Sequence, residues 1–241
     1  MPETLVLLHG FGGTRRTWDG VLGQLDPQRY SPLALDLPGH GELASYERPV
    51  SFAGCVREVL AAAPDRFALC GYSLGGRVAL HVALAAPERV GALTLVSTGA
   101  GIEDAEERGR RAEADRALAR RLEDEPYESF LASWSSQPLF AADPPEVLAR
   151  VHEEQRRNDP RSLAAALRGL GAGEMPPLWG RLAELAMPVT IVAGARDEKY
   201  VAIAERMEQR TAIARLLVIP GGHRLPLENP GGIAAALAGA Q

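Results

Sequence analysis

The chain has few of the residues that build disulfide scaffolds or basic binding surfaces. Cysteine occurs only at Cys55 and Cys70, and Cys70 lies in an apolar run that predicts a buried strand. A disulfide framework therefore has no support, and a reducing compartment fits best. Lys199 is the only lysine, so nearly all the positive charge is arginine, and the formal net charge is −5. An acidic chain of this kind lacks the basic footprint that nucleic acids or anionic membranes require.

Long hydrophobic runs are also missing. No apolar run approaches the roughly 18 residues of a membrane span, and the opening residues MPETLVLLHG lack the charged and apolar segments of a signal peptide. We therefore expect a cytoplasmic protein with no membrane, nucleic-acid or obligate protein partner. Hydrophobic residues make up 46% and charged residues 24% of 241 residues, which is the balance of an ordinary folded chain with one structural domain.

Short apolar runs bounded by glycine, proline or aspartate recur along the chain and predict buried parallel strands. These runs are residues 5–8, 32–35, 67–70, 92–96, 189–193 and 215–219. Alanine-rich amphipathic segments, such as residues 51–63 and 75–86, lie between them and predict crossover helices. The alternation predicts an α/β fold with a mostly parallel, doubly wound sheet.

The alternation stops between residues 101 and 185, where charged helical segments are separated by prolines. We expect residues 101–185 to form an inserted helical cap, and residues 1–100 and 186–241 to form the α/β core. A solvated helical face is the plainer interpretation of such a segment, but its position beside the candidate site favours a substrate lid.

The motif Gly71-Tyr72-Ser73-Leu74-Gly75 follows one predicted strand and precedes a predicted helix. A serine nucleophile at a tight turn from strand to helix needs small neighbours, because the backbone there is crowded. The helix that follows directs its N-terminal N–H groups toward an anion at Ser73. The context predicts that Ser73 is catalytic.

A serine hydroxyl needs an adjacent imidazole, and the imidazole needs an acid that fixes its tautomer. His223 follows the last predicted strand and Asp197 follows the one before it, so the order serine, aspartate, histidine is that of an α/β-hydrolase triad. Glu198 is the alternative acid. For His81 and His152 structural roles are the better interpretation.

Residues 8–13, LHGFGG, follow the first strand and predict an oxyanion-hole loop. The expected donors are the backbone N–H groups of Phe11 and Leu74, the alternative being a flexible glycine turn. Neither a dinucleotide nor a P-loop signature occurs, and we expect no metal and no organic cofactor.

At these motifs the chain resembles the α/β-hydrolase superfamily: LLHGFGG, DLPGHG, GYSLGGR, GARDEKY and GGHRLPLENP. Further segments resemble the family of 2-succinyl-6-hydroxy-2,4-cyclohexadiene-1-carboxylate synthases, which are pyruvate-eliminating lyases of menaquinone biosynthesis. These are Arg77 after the glycines, FLASWSSQPLF around Trp134, QRRN at residues 155–158, LRGLGAGEMPPLW at residues 167–179, and Asp197 with Lys199 and Tyr200.

The resemblance implies a small-molecule substrate with three carboxylates. It implies that Arg77, Arg111 and Arg156 bind carboxylates and that Tyr72 and Trp134 line the pocket. The choice between Arg111 and its neighbours Arg108 and Arg110 stays open. Gln155 stands where many members carry an arginine, so the choice between Arg156 and Arg157 stays open as well. The chain also begins almost at the first central strand, so we expect a sheet without the antiparallel hairpin common in the superfamily.

The resemblance implies an elimination in which Ser73, activated by His223, removes a proton from the substrate ring and pyruvate leaves. Serine then acts as a base, and Ser73 and His223 should lie within about 3.2 Å of each other. A carboxylesterase or carbon–carbon bond hydrolase would use the same triad with serine as nucleophile, so fold and triad do not separate these activities. A binding protein with a hydrolase fold is the third alternative.

Overall fold

The computed structural model describes residues 2–44 and 48–239, and within these ranges six strands form one sheet. The strands are β1 (Glu3–Leu8), β2 (Tyr30–Leu35), β3 (Phe67–Tyr72), β4 (Val90–Val96), β5 (Val189–Gly194) and β6 (Ala214–Ile219). Their order across the sheet is β2-β1-β3-β4-β5-β6, and every neighbouring pair is parallel. The predicted α/β-hydrolase sheet is confirmed, with each predicted run inside a strand.

Helices connect the strands and cover both faces of the sheet. The helices of the core are α1 (Asp19–Leu22), α2 (Phe52–Ala62) and α3 (Leu74–Ala85). Between β4 and β5 lie α4 (Ala105–Asp124), α5 (Tyr127–Ser135), α6 (Pro145–Gln155) and α7 (Pro160–Leu170). The chain then forms α8 (Glu198–Glu208), α9 (Leu225–Glu228) and α10 (Pro230–Ala238). In the described part of the chain, no helix has both the length and the apolar character needed to cross a membrane.

Strand β1 shows why residues 5–8 are all apolar. Successive side chains of a strand point to opposite faces, so a strand covered on both faces has no polar side. Val6 and Leu8 pack in the cluster that contains α2 and α3, whereas Leu5 and Leu7 pack with Trp18 and α10. Apolar side chains therefore pack on both faces of the sheet.

The segment between β4 and β5, which we call the insertion (residues 97–188), has an apolar cluster of its own. Leu122 of α4, Phe130 of α5 and Leu163 of α7 are buried in it. Phe11, from the loop after β1, packs against this cluster. The insertion therefore lies over the carboxyl edge of the sheet, where the predicted site residues are.

Candidate active site

The loops that carry the predicted site residues meet at the carboxyl edge of the sheet. In the β1–β3 pairing Leu8 lies opposite Gly71, so the loops after these two strands begin at the same level. An ideal Cβ on Gly10 would lie 3.4 Å from the Cβ of Ser73, which places the loop after β1 against the turn after β3. The turns after β5 and β6 bring Asp197 and His223 to the same edge.

Ser73 lies at the turn between β3 and α3 in a strained backbone conformation, with φ of 51°. Its N–H donates to the carbonyl of Val96 at 2.9 Å, and the Thr98 hydroxyl donates to its carbonyl at 2.8 Å. A Cβ on Gly75 would overlap the carbonyl of Leu8. Such strain persists only where surrounding contacts hold it, as the flanking glycine and these hydrogen bonds do here.

The side chains of Ser73, His223 and Asp197 form a continuous hydrogen-bonded chain. The Ser73 Oγ lies 3.1 Å from His223 Nε2, and His223 Nδ1 lies 2.7 Å from Asp197 Oδ2. The first distance is within the expected 3.2 Å. Because a carboxylate can only accept, Nδ1 carries the proton, and Nε2 is left to accept the proton of Ser73. In this arrangement the His223 imidazole can act as a general base toward Ser73.

Asp197 is also the N-cap residue of α8. Its Oδ1 accepts the backbone N–H of Tyr200 at 3.3 Å, while Oδ2 accepts from His223. The carboxylate is buried, which fixes its orientation, whereas the alternative acid Glu198 is exposed as the first residue of α8. The structure therefore brings Asp197, and not Glu198, to the imidazole.

Aromatic rings shield His223 from solvent. The ring centroids of Tyr200, Tyr72 and Phe140 lie 4.6, 5.7 and 6.0 Å from that of His223, and His223 is only 3% exposed. Burial raises the pKa of the Tyr72 and Tyr200 phenols, so both are neutral at physiological pH. The sequence indicated no role for Phe140, although it is the last residue of the segment FLASWSSQPLF.

The loop after β1 is held by a histidine to which the sequence had given no role. His9 Nδ1 donates to the carbonyl of Gly10 at 2.7 Å, and its Nε2 accepts the backbone N–H of Leu37 at 3.0 Å. Burial lowers the pKa of His9, which keeps the ring neutral and able to accept. His9 thereby fixes the backbone beside Phe11.

The predicted oxyanion donors both line the cavity that contains Ser73. Leu74 is the first residue of α3, so its N–H has no acceptor within the helix. Phe11 follows the loop backbone that His9 fixes. The two N–H groups stay the predicted donors.

A cavity of about 1140 Å³ lies between the carboxyl edge of the sheet and the insertion, and Arg77 and Arg111 line it. Arg77 Nη1 donates to the carbonyl of Leu170 at 3.0 Å, and burial lowers the pKa of Arg77 to about 10, so it stays cationic at neutral pH. Arg111 donates through Nε to Asp115 at 2.8 Å. Two guanidinium groups therefore face the site with donors left for a ligand.

The three candidate arginines at the start of α4 have different surroundings. Arg108 donates to the backbone carbonyls of Ile102 and Glu103, and Arg110 pairs with Glu106 on the exposed face. Of the three candidates, Arg111 is the one that lines the cavity. Trp134 and Tyr72 line it too, as predicted, and the Trp134 ring lies 5.1 Å from that of Phe11.

The structure does not bring the predicted carboxylate-binding residue Arg156 to the cavity. Arg156 follows the last residue of α6, and its side chain is 54% exposed and binds Glu128 through two hydrogen bonds of 2.8 and 2.9 Å. Arg157 is bound to Glu154 and also turns away from the cavity. Gln155 lines the cavity instead, and its buried Oε1 has no hydrogen-bond partner. The last turn of α6 thus presents an amide, not a cation.

A family model described as the alpha/beta hydrolase family matches residues 5–236. The chain belongs to the alpha/beta hydrolase family. This match extends over nearly the whole chain and includes all three residues of the hydrogen-bonded chain.

Relatives within the family carry a more specific name. The 2-succinyl-6-hydroxy-2,4-cyclohexadiene-1-carboxylate synthase of Enterobacter sp. (strain 638) is 36% identical over 97% of this chain and 90% of its own length. That of Klebsiella pneumoniae subsp. pneumoniae is 35% identical over 97% and 92%.

Solved structures agree with these relatives. The structure of MenH from S. aureus matches with a TM-score of 0.92 and 32% identity, covering 98% of this chain and 92% of that one. An esterase from Thermogutta terrifontis matches with a TM-score of 0.83 at 23% identity, a likeness of fold alone.

Proposed function

We propose that this enzyme eliminates pyruvate from 2-succinyl-5-enolpyruvyl-6-hydroxy-3-cyclohexene-1-carboxylate and forms 2-succinyl-6-hydroxy-2,4-cyclohexadiene-1-carboxylate in menaquinone biosynthesis. The observation that carries the proposal is the wall of Arg77 and Arg111 beside the Ser73–His223–Asp197 chain. Arginine binds carboxylates bidentately, and this substrate has three of them. The synthase names of relatives that align over nearly the whole chain support the same substrate.

In this mechanism Ser73 acts as a base. Ser73 Oγ takes a proton from the substrate ring while its own proton passes to His223 Nε2. The electron pair of the C2–H bond forms a C2–C3 double bond, the existing C3–C4 double bond shifts to C4–C5, and the carbon–oxygen bond at C5 to the enolpyruvyl group breaks. The imidazolium, stabilised by Asp197, then returns a proton to the departing enolate, which becomes pyruvate. Every proton moves between side chains and substrate, so the step needs no metal and no organic cofactor.

Charge that develops on a substrate oxygen during the elimination requires fixed donors. In the proposed mechanism these are the backbone N–H groups of Phe11 and Leu74, helped by the positive end of the α3 dipole. Donors fixed before the reaction need no rearrangement when the charge appears. The strained turn at Ser73 and the His9 contacts support this preorganisation.

An esterase would use the same fold and triad, so the test must separate the substrates. Purified enzyme is assayed for pyruvate release from the pathway intermediate and for hydrolysis of p-nitrophenyl acetate. We expect rapid pyruvate release and little ester hydrolysis. Fast hydrolysis of the neutral ester without pyruvate release would replace the lyase with an esterase, and no turnover of either would favour a binding protein.

A further inference from the structure

Beside His223 the cavity has a second cationic wall, made by Arg224. This residue lines the same cavity as Ser73, yet it is only 4% exposed. Its guanidinium lies over the Phe140 ring, with 3.8 Å between Cζ and the ring centroid. A buried cation is costly unless something compensates its charge, so its surroundings bear on its role.

The compensating charge comes from Asp143 of the insertion. Arg224 Nη1 and Asp143 Oδ2 are 2.8 Å apart, and the two side chains are 5% and 2% exposed. Neither atom has a hydrogen-bond partner of acceptable geometry, however. The ion pair is therefore poorly aligned as a hydrogen bond, and the guanidinium keeps donors for a ligand. A guanidinium in this condition can still gain from a carboxylate that approaches it in the bidentate geometry.

The other arginines of the cavity differ from Arg224. Arg196 and Arg206 are 44% and 43% exposed and bind Glu228 and Glu103 near the surface. Arg77 and Arg111 are close enough to interact electrostatically with each other, whereas the charged partner of Arg224 is Asp143. Arg224 is therefore a buried cation of the cavity whose charge is compensated by a carboxylate of the insertion.

We infer that Arg224 is a further carboxylate-binding residue and that Asp143 occupies it until a carboxylate of the substrate displaces it. The inference rests on the proposed function, because it takes the ligand to be the tricarboxylate. Arg77 and Arg111 then bind on one wall and Arg224 binds on the His223 side, a role that Arg156 cannot fill from the surface.

The rival role of the pair is purely structural, because it links the insertion to the loop that carries His223. The two roles predict opposite effects of Asp143→Asn. If Asp143 competes with substrate, removing its charge frees Arg224 and binding becomes tighter or stays the same. If the pair is only a brace, the same change weakens binding as much as loss of Arg224 does.

Binding of the pathway intermediate is measured by calorimetry in a Ser73→Ala background, which separates binding from turnover. We expect Arg224→Gln to weaken binding about tenfold or more, as loss of a charge-assisted bidentate contact does. Asp143→Asn should bind as tightly as the parent or more tightly. Arg196→Gln, a matched arginine of the same cavity held by Glu228, should stay within about twofold.

The inference is overturned if Arg224→Gln binds like the parent or if Asp143→Asn binds as weakly as Arg224→Gln. Should Arg224→Gln fail to fold in a thermal melt, Arg224→Lys keeps the charge but not the bidentate geometry and must still weaken binding. Pyruvate release by the unmodified enzyme tests the proposed function independently, so a failure of either claim is recognised separately.

Discussion

The carboxylate of Asp197 accepts two hydrogen bonds, one from the backbone and one from the catalytic imidazole. One oxygen caps α8 through the N–H of Tyr200, and the other accepts the proton of His223 Nδ1. An amide in its place can turn its NH₂ group toward the imidazole, which then presents the wrong tautomer to Ser73. The neighbouring Glu198 has no part in this arrangement.

Asp197→Asn is therefore expected to lower kcat by about 10⁴-fold, the size of the loss for the corresponding change in a serine protease. The variant should fold, because an asparagine still caps the helix. Steady-state pyruvate release, measured beside a thermal melt, checks this. The control Glu198→Gln should be near wild type, and a loss there instead would identify Glu198 as the acid.

The positive charge of Arg77 should matter for a carboxylate substrate and not for a neutral one. Its side chain has a backbone carbonyl as hydrogen-bond acceptor and stays cationic at neutral pH. Arg77→Ala should remove about 1.5–3 kcal/mol of transition-state binding and lower kcat/KM for the pathway intermediate tenfold or more. Hydrolysis of a neutral p-nitrophenyl ester, where measurable, should change much less. Equal effects on both substrates would make Arg77 a structural residue of α3.

Side-chain direction is the part of the site that the sequence predicted least well. Ser73, Asp197 and His223 follow strand ends, and strand ends of a parallel sheet share one edge, so their meeting could be inferred. Successive side chains of a helix point about 100° apart, so two neighbouring residues can face different surroundings. Gln155 lines the cavity, whereas Arg156 forms an ion pair at the surface, and the sequence does not show which of the two faces inward.

At the scale of elements, the turn from β3 to α3 is the most constrained part of the fold. A Cβ on Gly75 would overlap the carbonyl of Leu8, and one on Gly71 would overlap that of Gly75. These glycines allow the turn to pack against β1, which brings the predicted oxyanion loop to Ser73. The glycines of the Gly71–Gly75 motif are therefore needed for close backbone packing as well as for the placement of the serine.

Substitution of glycine by alanine should have opposite effects in two helices. Gly75→Ala should lower the free energy of unfolding and impair pyruvate release, because the new methyl group displaces β1 or α3. Gly109→Ala lies in α4, where a Cβ meets nothing within 4 Å, and should stabilise by about 0.5–1 kcal/mol. Urea unfolding measures both. A neutral Gly75→Ala variant would refute the proposed packing of the turn.

The strands themselves were predictable to within two residues because each contains a run of mostly apolar side chains. A run such as residues 67–70, in which every side chain is apolar, is typical of a strand covered on both faces, and it forms the first part of β3. The helices of the insertion were less predictable in detail. The apolar stripe of the charged helix α4 is weak, and the positions of these helices depend on contacts with the loop after β1.

At the scale of the whole molecule, buried histidines link stability to pH. His40 is fully buried, and burial lowers its pKa to about 3; burial also lowers the pKa of His9. Below the ordinary histidine pKa of about 6.5, these histidines bind protons in the unfolded chain but stay neutral in the folded chain. The free energy of unfolding should therefore decrease as pH falls below about 6.5, and continue to decrease toward the folded-state values.

Each such histidine lowers the free energy of unfolding by up to about 1.4 kcal/mol for each unit of pH decrease between pH 6.5 and 5. Urea unfolding at several pH values checks this, with His40→Gln as the matched variant whose slope should be shallower by about that amount. Carboxylates with lowered pKa, such as Glu42, titrate below this window. Equal slopes for the two proteins would contradict the neutral, buried state of His40.

The central claim is that the Ser73–His223 pair removes a proton so that pyruvate leaves. It is tested most directly by pyruvate release from 2-succinyl-5-enolpyruvyl-6-hydroxy-3-cyclohexene-1-carboxylate, followed with unmodified enzyme and with Ser73→Ala under identical conditions. The account predicts rapid release by the unmodified enzyme and a loss of at least about 10²-fold in the variant, whose fold is checked by a thermal melt. Release by a folded Ser73→Ala variant at the unmodified rate would contradict it.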